Sequence, residues 1–177
     1  VVWAFKEKGH EITSGFDMVI WGNIPNGSGL SSSASVEVVT GVALRDLFGY
    51  DDISMIDIAL FGQYSENNFN GVNCGIMDQF ASVFGKAGNL IRLDCSTMEY
   101  EYIPFDPQGY KLVLIDSVTK HELVDSPYNK RRQSCERAAA AIAGNHPEVK
   151  LLGDATLEML EEVKDKISEE DYMRAEY

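Results

Sequence analysis

Residues 25–35 of this chain read Pro-Asn-Gly-Ser-Gly-Leu-Ser-Ser-Ser-Ala-Ser, and they separate two segments of different period. Before them, residues 16–24 alternate and are rich in β-formers, which predicts a strand that Pro25 ends. After them, Val36, Val39, Val42, Ala43 and Leu47 recur at helical steps up to Gly49, which predicts a helix starting at Ser33. A strand, a glycine–serine turn and a helix in that order leave few options for the loop. Gly27 and Gly29 permit positive φ and close approach of backbone to a ligand. The first turn of the helix leaves N–H groups without intrahelical partners, and with the helix dipole these favour an anion. The loop does not carry the Gly-Lys-Ser/Thr ending of a Walker motif, and Ser32 replaces the third glycine of Gly-x-Gly-x-x-Gly. It also lacks the Gly-x-Ser-x-Gly pattern of a nucleophile elbow. Two readings stay open on these residues alone: a phosphate cradle, or a tight strand-to-helix turn with serine caps.

Further elements follow along the chain. Ser54 is placed to cap a helix over residues 55–69, with Ile56, Ala59, Leu60 and Tyr64 on one face. A turn is expected over residues 70–73, and a short helix over 76–84 ended by Gly85. Residues 89–94 and 99–104 read as a hairpin. Residues 111–116 form a nearly continuous apolar run, read as a strand buried on both faces. Helices are expected over 128–143 and 156–167, the latter with Leu157, Leu160 and Val163 as its apolar face. The class is α+β, or mixed α/β. A domain boundary is expected near the prolines and glycine at 104, 107 and 109, giving domains 1–105 and 106–177.

Composition narrows the partners. The 177 residues carry a formal net charge of −13, so nucleic acid and membrane surfaces, which need basic patches, are not expected partners. A phosphate ligand would need local positive character from amides, a metal ion and a few basic side chains. Cys74, Cys95 and Cys135 form no CxxC pair and read as reduced core thiols of a cytoplasmic protein. No apolar run approaches the ~20 residues that span a bilayer, and no signal peptide is visible. His10, His121 and His146 share no motif and read as surface or capping residues. Residues 1–9 read as the last turns of a helix closed by Gly9, and residues 171–177 stop in helix-like sequence without a cap, so both ends read as cut.

The loop resembles the second signature motif of the GHMP kinases, and its Gly-Leu-Ser-Ser-Ser-Ala-Ser form is similar to that of the galactokinases in particular. Gly75-Ile76-Met77-Asp78-Gln79-Phe80, residues 89–95 and residues 126–136 resemble further family segments in the same order. The resemblance implies a GHMP-kinase fold: the C-terminal part of an N-terminal, ribosomal protein S5 domain 2-like domain, then the start of a C-terminal domain. It implies an ATP:sugar phosphotransferase acting on the anomeric hydroxyl of galactose, with Mg²⁺.

By the same resemblance, Gly27, Ser28, Gly29, Leu30, Ser31, Ser32 and Ser33 would hold the ATP phosphates. Ser33 and Glu66 would ligate Mg²⁺, which prefers hard oxygen ligands. Asp78, expected to be partly buried among Ile76, Met77 and Phe80, would accept the proton of the attacking hydroxyl. Gly75 and Tyr128, with Asp78, would contact the sugar. Arg131 and Arg132 are expected to pair with acidic groups. The family's N-terminal Gly-Glu-His-x-Asp-Tyr signature and its C-terminal glycine-rich motif are absent from these residues. That absence makes the isolated piece an expected inactive central fragment. Alternatives are a kinase for N-acetylgalactosamine or arabinose, a galactokinase-like sensor without chemistry, and a structural fragment. The Ser33-Ala34 pair argues against the sensor.

Overall fold

A computed structural model describes residues 1–25, 28–115 and 127–177. The chain divides into two compact units, Val1–His121 and Glu122–Tyr177.

The first unit is built on three helices. Helix α1 (Val2–Glu7) buries Ala4 and Phe5. Helix α2 (Ser32–Phe48) ends at Gly49, which takes the left-handed conformation at φ 70. Helix α3 (Met55–Ser65) starts at Ser54, whose hydroxyl accepts from the Asp57 amide while the Asp57 carboxylate accepts from the Ser54 amide. Phe5, Val38, Leu44, Ile53, Ile58 and Phe61 form the core between these helices.

Helix α4 (Met77–Phe84) packs Phe80 with Ala59 and Ile76, and this second cluster extends to Ile91 and Leu93 of the hairpin. The hairpin pairs β1 (Asn89–Leu93) with β2 (Tyr100–Pro104), antiparallel, with Ile91 opposite Tyr102. The rings of Phe80, Phe84 and Tyr100 meet in tilted and edge-to-face contacts where the hairpin meets α4.

The second unit holds α5 (Pro127–Ala143), α6 (Leu157–Glu161) and α7 (Glu169–Glu176). Its core is Ala138, Ile142, Val149, Leu160 and Val163. Arg137 of α5 grips Asp171 of α7 through two hydrogen bonds, 2.9 and 2.6 Å long. Arg132 pairs with Glu136 at 2.8 Å, as its acidic-partner reading required.

Several sequence expectations are corrected. Residues 16–24 form no strand; Val19 and Trp21 are 97% and 86% exposed. Residues 111–115 are likewise open coil with Ile115 87% exposed, not a strand buried on both faces. The cause is partnership: strand N–H and C=O groups need neighbours, and the only pairing among the described residues is β1 with β2. The buried stripe of α2 is Ala34, Glu37, Val38, Gly41 and Leu44, whereas Val36, Val39 and Leu47 are exposed. The 55–69 helix changes character at Glu66, where a π-helical turn (Glu66–Asn70) begins. The helix expected over 156–167 stops at Glu161, and Leu157 faces outward while Leu160 and Val163 are buried. Cys95 is exposed, so it is not a core thiol.

Candidate functional site

The N-terminal end of α2 is open. Its N-cap residue, Ser31, makes no side-chain cap hydrogen bond, and the first turn holds no acidic residue. The first amides of the helix are therefore left without a side-chain partner from the cap. Gly29 has φ 73, a conformation that glycine adopts freely. Ser31 has φ 54, which costs a non-glycine residue ~1 kcal/mol or more. Ser28 donates from its hydroxyl to the Pro25 carbonyl at 2.7 Å, which ties the loop back toward its entry. Leu30 and Ser33 are exposed, and Ser32 is half-buried. Gly27 lies outside the described residues.

One turn beyond Ser33 the exposed face of α2 gives way to a buried carboxylate. Glu37 is 7% exposed and its Oε2 accepts from Gln79 Nε2 at 3.0 Å. Its carboxyl also hydrogen-bonds to that of Glu66, which is 6% exposed. Burial is the main force pushing the Glu37 carboxyl up to about 8; the contact with Glu66 adds to it and the Gln79 amide opposes it. Burial thus favours the neutral form of the Glu37 carboxyl.

Gly62 makes room for this pair. A Cβ there would lie 3.1 Å from Gln79 Cγ and 3.2 Å from Glu37 Oε2. Glu66 stands where α3 becomes a π-helical turn, a distortion found often at functional positions. Asn70 Nδ2 donates to Glu66 Oε2 at 3.2 Å from the far end of that turn.

Asp78 is exposed, against the expectation of a partly buried carboxylate. The reason is helical geometry. Ile76, Gln79 and Phe80 point into the core, which turns Met77 and Asp78 outward at the start of α4. The carboxylate can thus be approached by a hydroxyl. The segment before it is held by Gln63 Nε2, which donates to the Cys74 carbonyl at 3.2 Å. Burial raises the Cys74 thiol above its usual range, so this thiol is not an activated nucleophile. A Cβ on Gly75 would meet open space. Tyr128 opens α5 in the other unit and is exposed.

The first unit therefore brings together the amide end of α2, Glu66 and the Asp78 turn, linked by Glu37 and Gln79. Neither Glu37 nor Gln79 stood out in the sequence as a site residue. A single Glu among valines reads as a solvated position. The one available signal was its spacing of four from Ser33.

Among the described residues, no group of three or more His, Cys, Asp or Glu is arranged to hold a metal ion alone. The oxygen donors nonetheless fit a magnesium ion that keeps most of its shell from phosphate and water. Ser33 and Glu37 share a face of α2, and the Glu66 carboxyl touches Glu37. Among the described residues no helix is long and apolar enough to cross a membrane.

Residues 1–86 match the family described as GHMP kinases N terminal domain. Over these residues the chain is similar to the N-terminal domain of the GHMP kinases. The relatives it resembles along nearly its whole length are galactokinases. The galactokinase of Fusobacterium nucleatum is 45% identical over 98% of this chain and 44% of its own length. That of Clostridium beijerinckii is 48% identical over 96% of this chain and 43% of its own. The crystal structure of Lactococcus lactis galactokinase complexed with galactose superposes with a TM-score of 0.86 at 36% identity. It covers 98% of this chain and 45% of the Lactococcus chain, which establishes the α+β GHMP-kinase fold. This chain spans less than half the length of the relatives it matches.

Proposed function

We propose that the protein is a cytoplasmic galactokinase, transferring the γ-phosphoryl group of ATP to the anomeric hydroxyl of galactose. The observation that carries this reading is the uncapped amide end of α2, in one unit with Glu66 and an outward-facing Asp78. The galactokinases it resembles over nearly its whole length supply the sugar.

In this reading the amides and hydroxyls of Ser28, Gly29 and Ser31 to Ser33, with Gly27 and Leu30 in the same loop, hold the phosphates. Positioning and charge neutralisation are most of what phosphoryl transfer asks of a protein. Ser33 and Glu66 hold Mg²⁺, which when bound neutralises charge on the phosphate oxygens. Asp78 takes the proton of the anomeric hydroxyl as that oxygen bonds to the γ-phosphorus. The bond from the γ-phosphorus to the bridging oxygen breaks, and ADP leaves. Gly75 contacts the sugar. Residues 1–105 belong to the N-terminal GHMP domain and residues 106–177 to the start of the C-terminal one.

The test is ADP release by the full-length natural protein with ATP, Mg²⁺ and a panel of sugars. Galactose-dependent release, with the product phosphorylated at the anomeric position, is expected. Release that depends on N-acetylgalactosamine or arabinose instead would reassign the sugar, and none above background would overturn the reading.

A further inference from the structure

We propose that Glu37 is a positioning residue of the phosphoryl-transfer site, fixing Glu66 on one side and, through Gln79, the Asp78 turn on the other. The inference rests on the functional reading above and adds to it a residue that holds the site's parts in register.

Three elements meet at this one side chain. Glu37 lies on the buried stripe of α2, one turn from Ser33. Gln79 belongs to the first turn of α4, next to Asp78. Glu66 begins the π-helical turn after α3. The hydrogen bond from Gln79 Nε2 to Glu37 Oε2, 3.0 Å long, is buried and spans 42 positions of sequence. The other contact of that amide, with Cys74 Sγ, is 3.9 Å long and weak. Among the described residues, Gln79 Oε1 has no donor. Glu37 therefore sets the rotamer of Gln79, and with it the seat of the α4 turn.

The chemistry is costly for a purely structural contact. A buried carboxyl needs partners to offset desolvation, and an apolar residue of similar volume would pack between helices at lower cost. Here one partner of the carboxyl, Glu66, is itself a proposed metal ligand, and the other, Gln79, adjoins Asp78. Gly62 keeps the space open, since a Cβ there would come within 3.2 Å of Glu37 Oε2. Groups that orient a metal ligand from behind typically change metal affinity or activity about 10–100-fold when removed.

The experiment uses the full-length protein and the variants Glu37→Leu, Glu37→Gln and Gln79→Met. Four quantities are read: kcat with galactose, the Mg²⁺ concentration for half-maximal rate, Mg·ATP affinity by calorimetry without sugar, and the thermal midpoint. Glu37→Leu should lower kcat about 10–100-fold and raise the Mg²⁺ requirement in protein that is still folded at the assay temperature, although the loss of a partner for Glu66 and Gln79 also lowers the thermal midpoint. Glu37→Gln keeps an acceptor for Gln79 and offers Glu66 a donor, so it should recover most of the loss. Gln79→Met should lower kcat while Mg·ATP affinity stays near wild type, because only the Asp78 side is released.

A folded Glu37→Leu protein with wild-type kcat and Mg²⁺ requirement would overturn the proposal. Equal losses in the Gln and Leu variants would do the same. If Glu37→Leu does not fold, wild-type kcat in Gln79→Met overturns the proposal and a selective fall in kcat supports it. A wild-type protein that ignores galactose defeats the functional reading alone, because calorimetry still reads the effect of Glu37 on Mg·ATP.

Discussion

Gln79 Nε2 and Glu37 Oε2 are 3.0 Å apart in the interior of the first unit, joining α4 to α2. The bond places the turn that carries Asp78 against the helix whose amide end faces the loop. It also explains a helix of mixed character. In α2 the buried side is made of Ala34, Glu37, Val38, Gly41 and Leu44, where the small Ala34 and Gly41 admit close neighbours. Val36 and Val39 lie on the open side.

The space around that bond is tight. Gly62→Ala would put a methyl group 3.1 Å from Gln79 Cγ and 3.3 Å from Glu37 Cβ. Both neighbours are buried and hydrogen-bonded, so neither yields freely. A loss of roughly 1–3 kcal/mol is expected, as for overpacking elsewhere. Urea unfolding followed by circular dichroism measures it, and an unchanged midpoint would show that the pair can move aside.

In the second unit, acid should act through Asp171. The two hydrogen bonds from Arg137 hold its carboxyl well below the usual carboxylate range, with further help from Ser134 and Ser168. A depressed carboxylate adds stability that is present above the unfolded value of ~3.9 and is lost as pH falls toward the folded one. Asp171→Asn should lower the unfolding midpoint at pH 7 and narrow the gap from wild type below pH ~4. A gap that stays constant down to acid pH would mean that packing, not charge, joins α5 to α7.

His146 should respond in the opposite sense. Its Nε2 is 2.8 Å from a Glu162 oxygen and its Nδ1 is 3.5 Å from Glu148. The Glu162 hydrogen bond raises its pKa, against partial desolvation. A raised histidine adds stability that is fully present below its unfolded value of ~6.5 and disappears as pH climbs through the folded one. His146→Gln should therefore be destabilised at pH 5.5 relative to wild type and indistinguishable from it at pH 9. Equal destabilisation at both values would remove the ion pair from the explanation.

How much of this could be read in the sequence depends on where the determinants lie. The span of α2 was legible because its stop is local: Gly49 takes a conformation that glycine favours. The hairpin was legible because alternation and its polar connection are both local, with Asp94 Oδ1 accepting from the Ser96 amide at 2.8 Å. The buried face of α2 was not, since it depends on which helices pack against it. The exposure of Asp78 was missed because apolar neighbours in sequence point to another side of a helix in space. Residues 16–24 and 111–115 have strand composition, but pairing is set by partner strands and not by composition. The pairing of Glu37 with Gln79 was not legible for the same reason: it arises only from contact across 42 positions.

The most direct test of the phosphotransfer site is the rate of galactose phosphorylation by Asp78→Asn in the full-length protein. Asparagine keeps the shape and the exposed setting but cannot take the proton. A fall in kcat of about 10²–10⁴, with Mg·ATP affinity unchanged, is the predicted result. A variant that turns over galactose at the wild-type rate would contradict the assignment of Asp78, and with it the site built around the α2 loop.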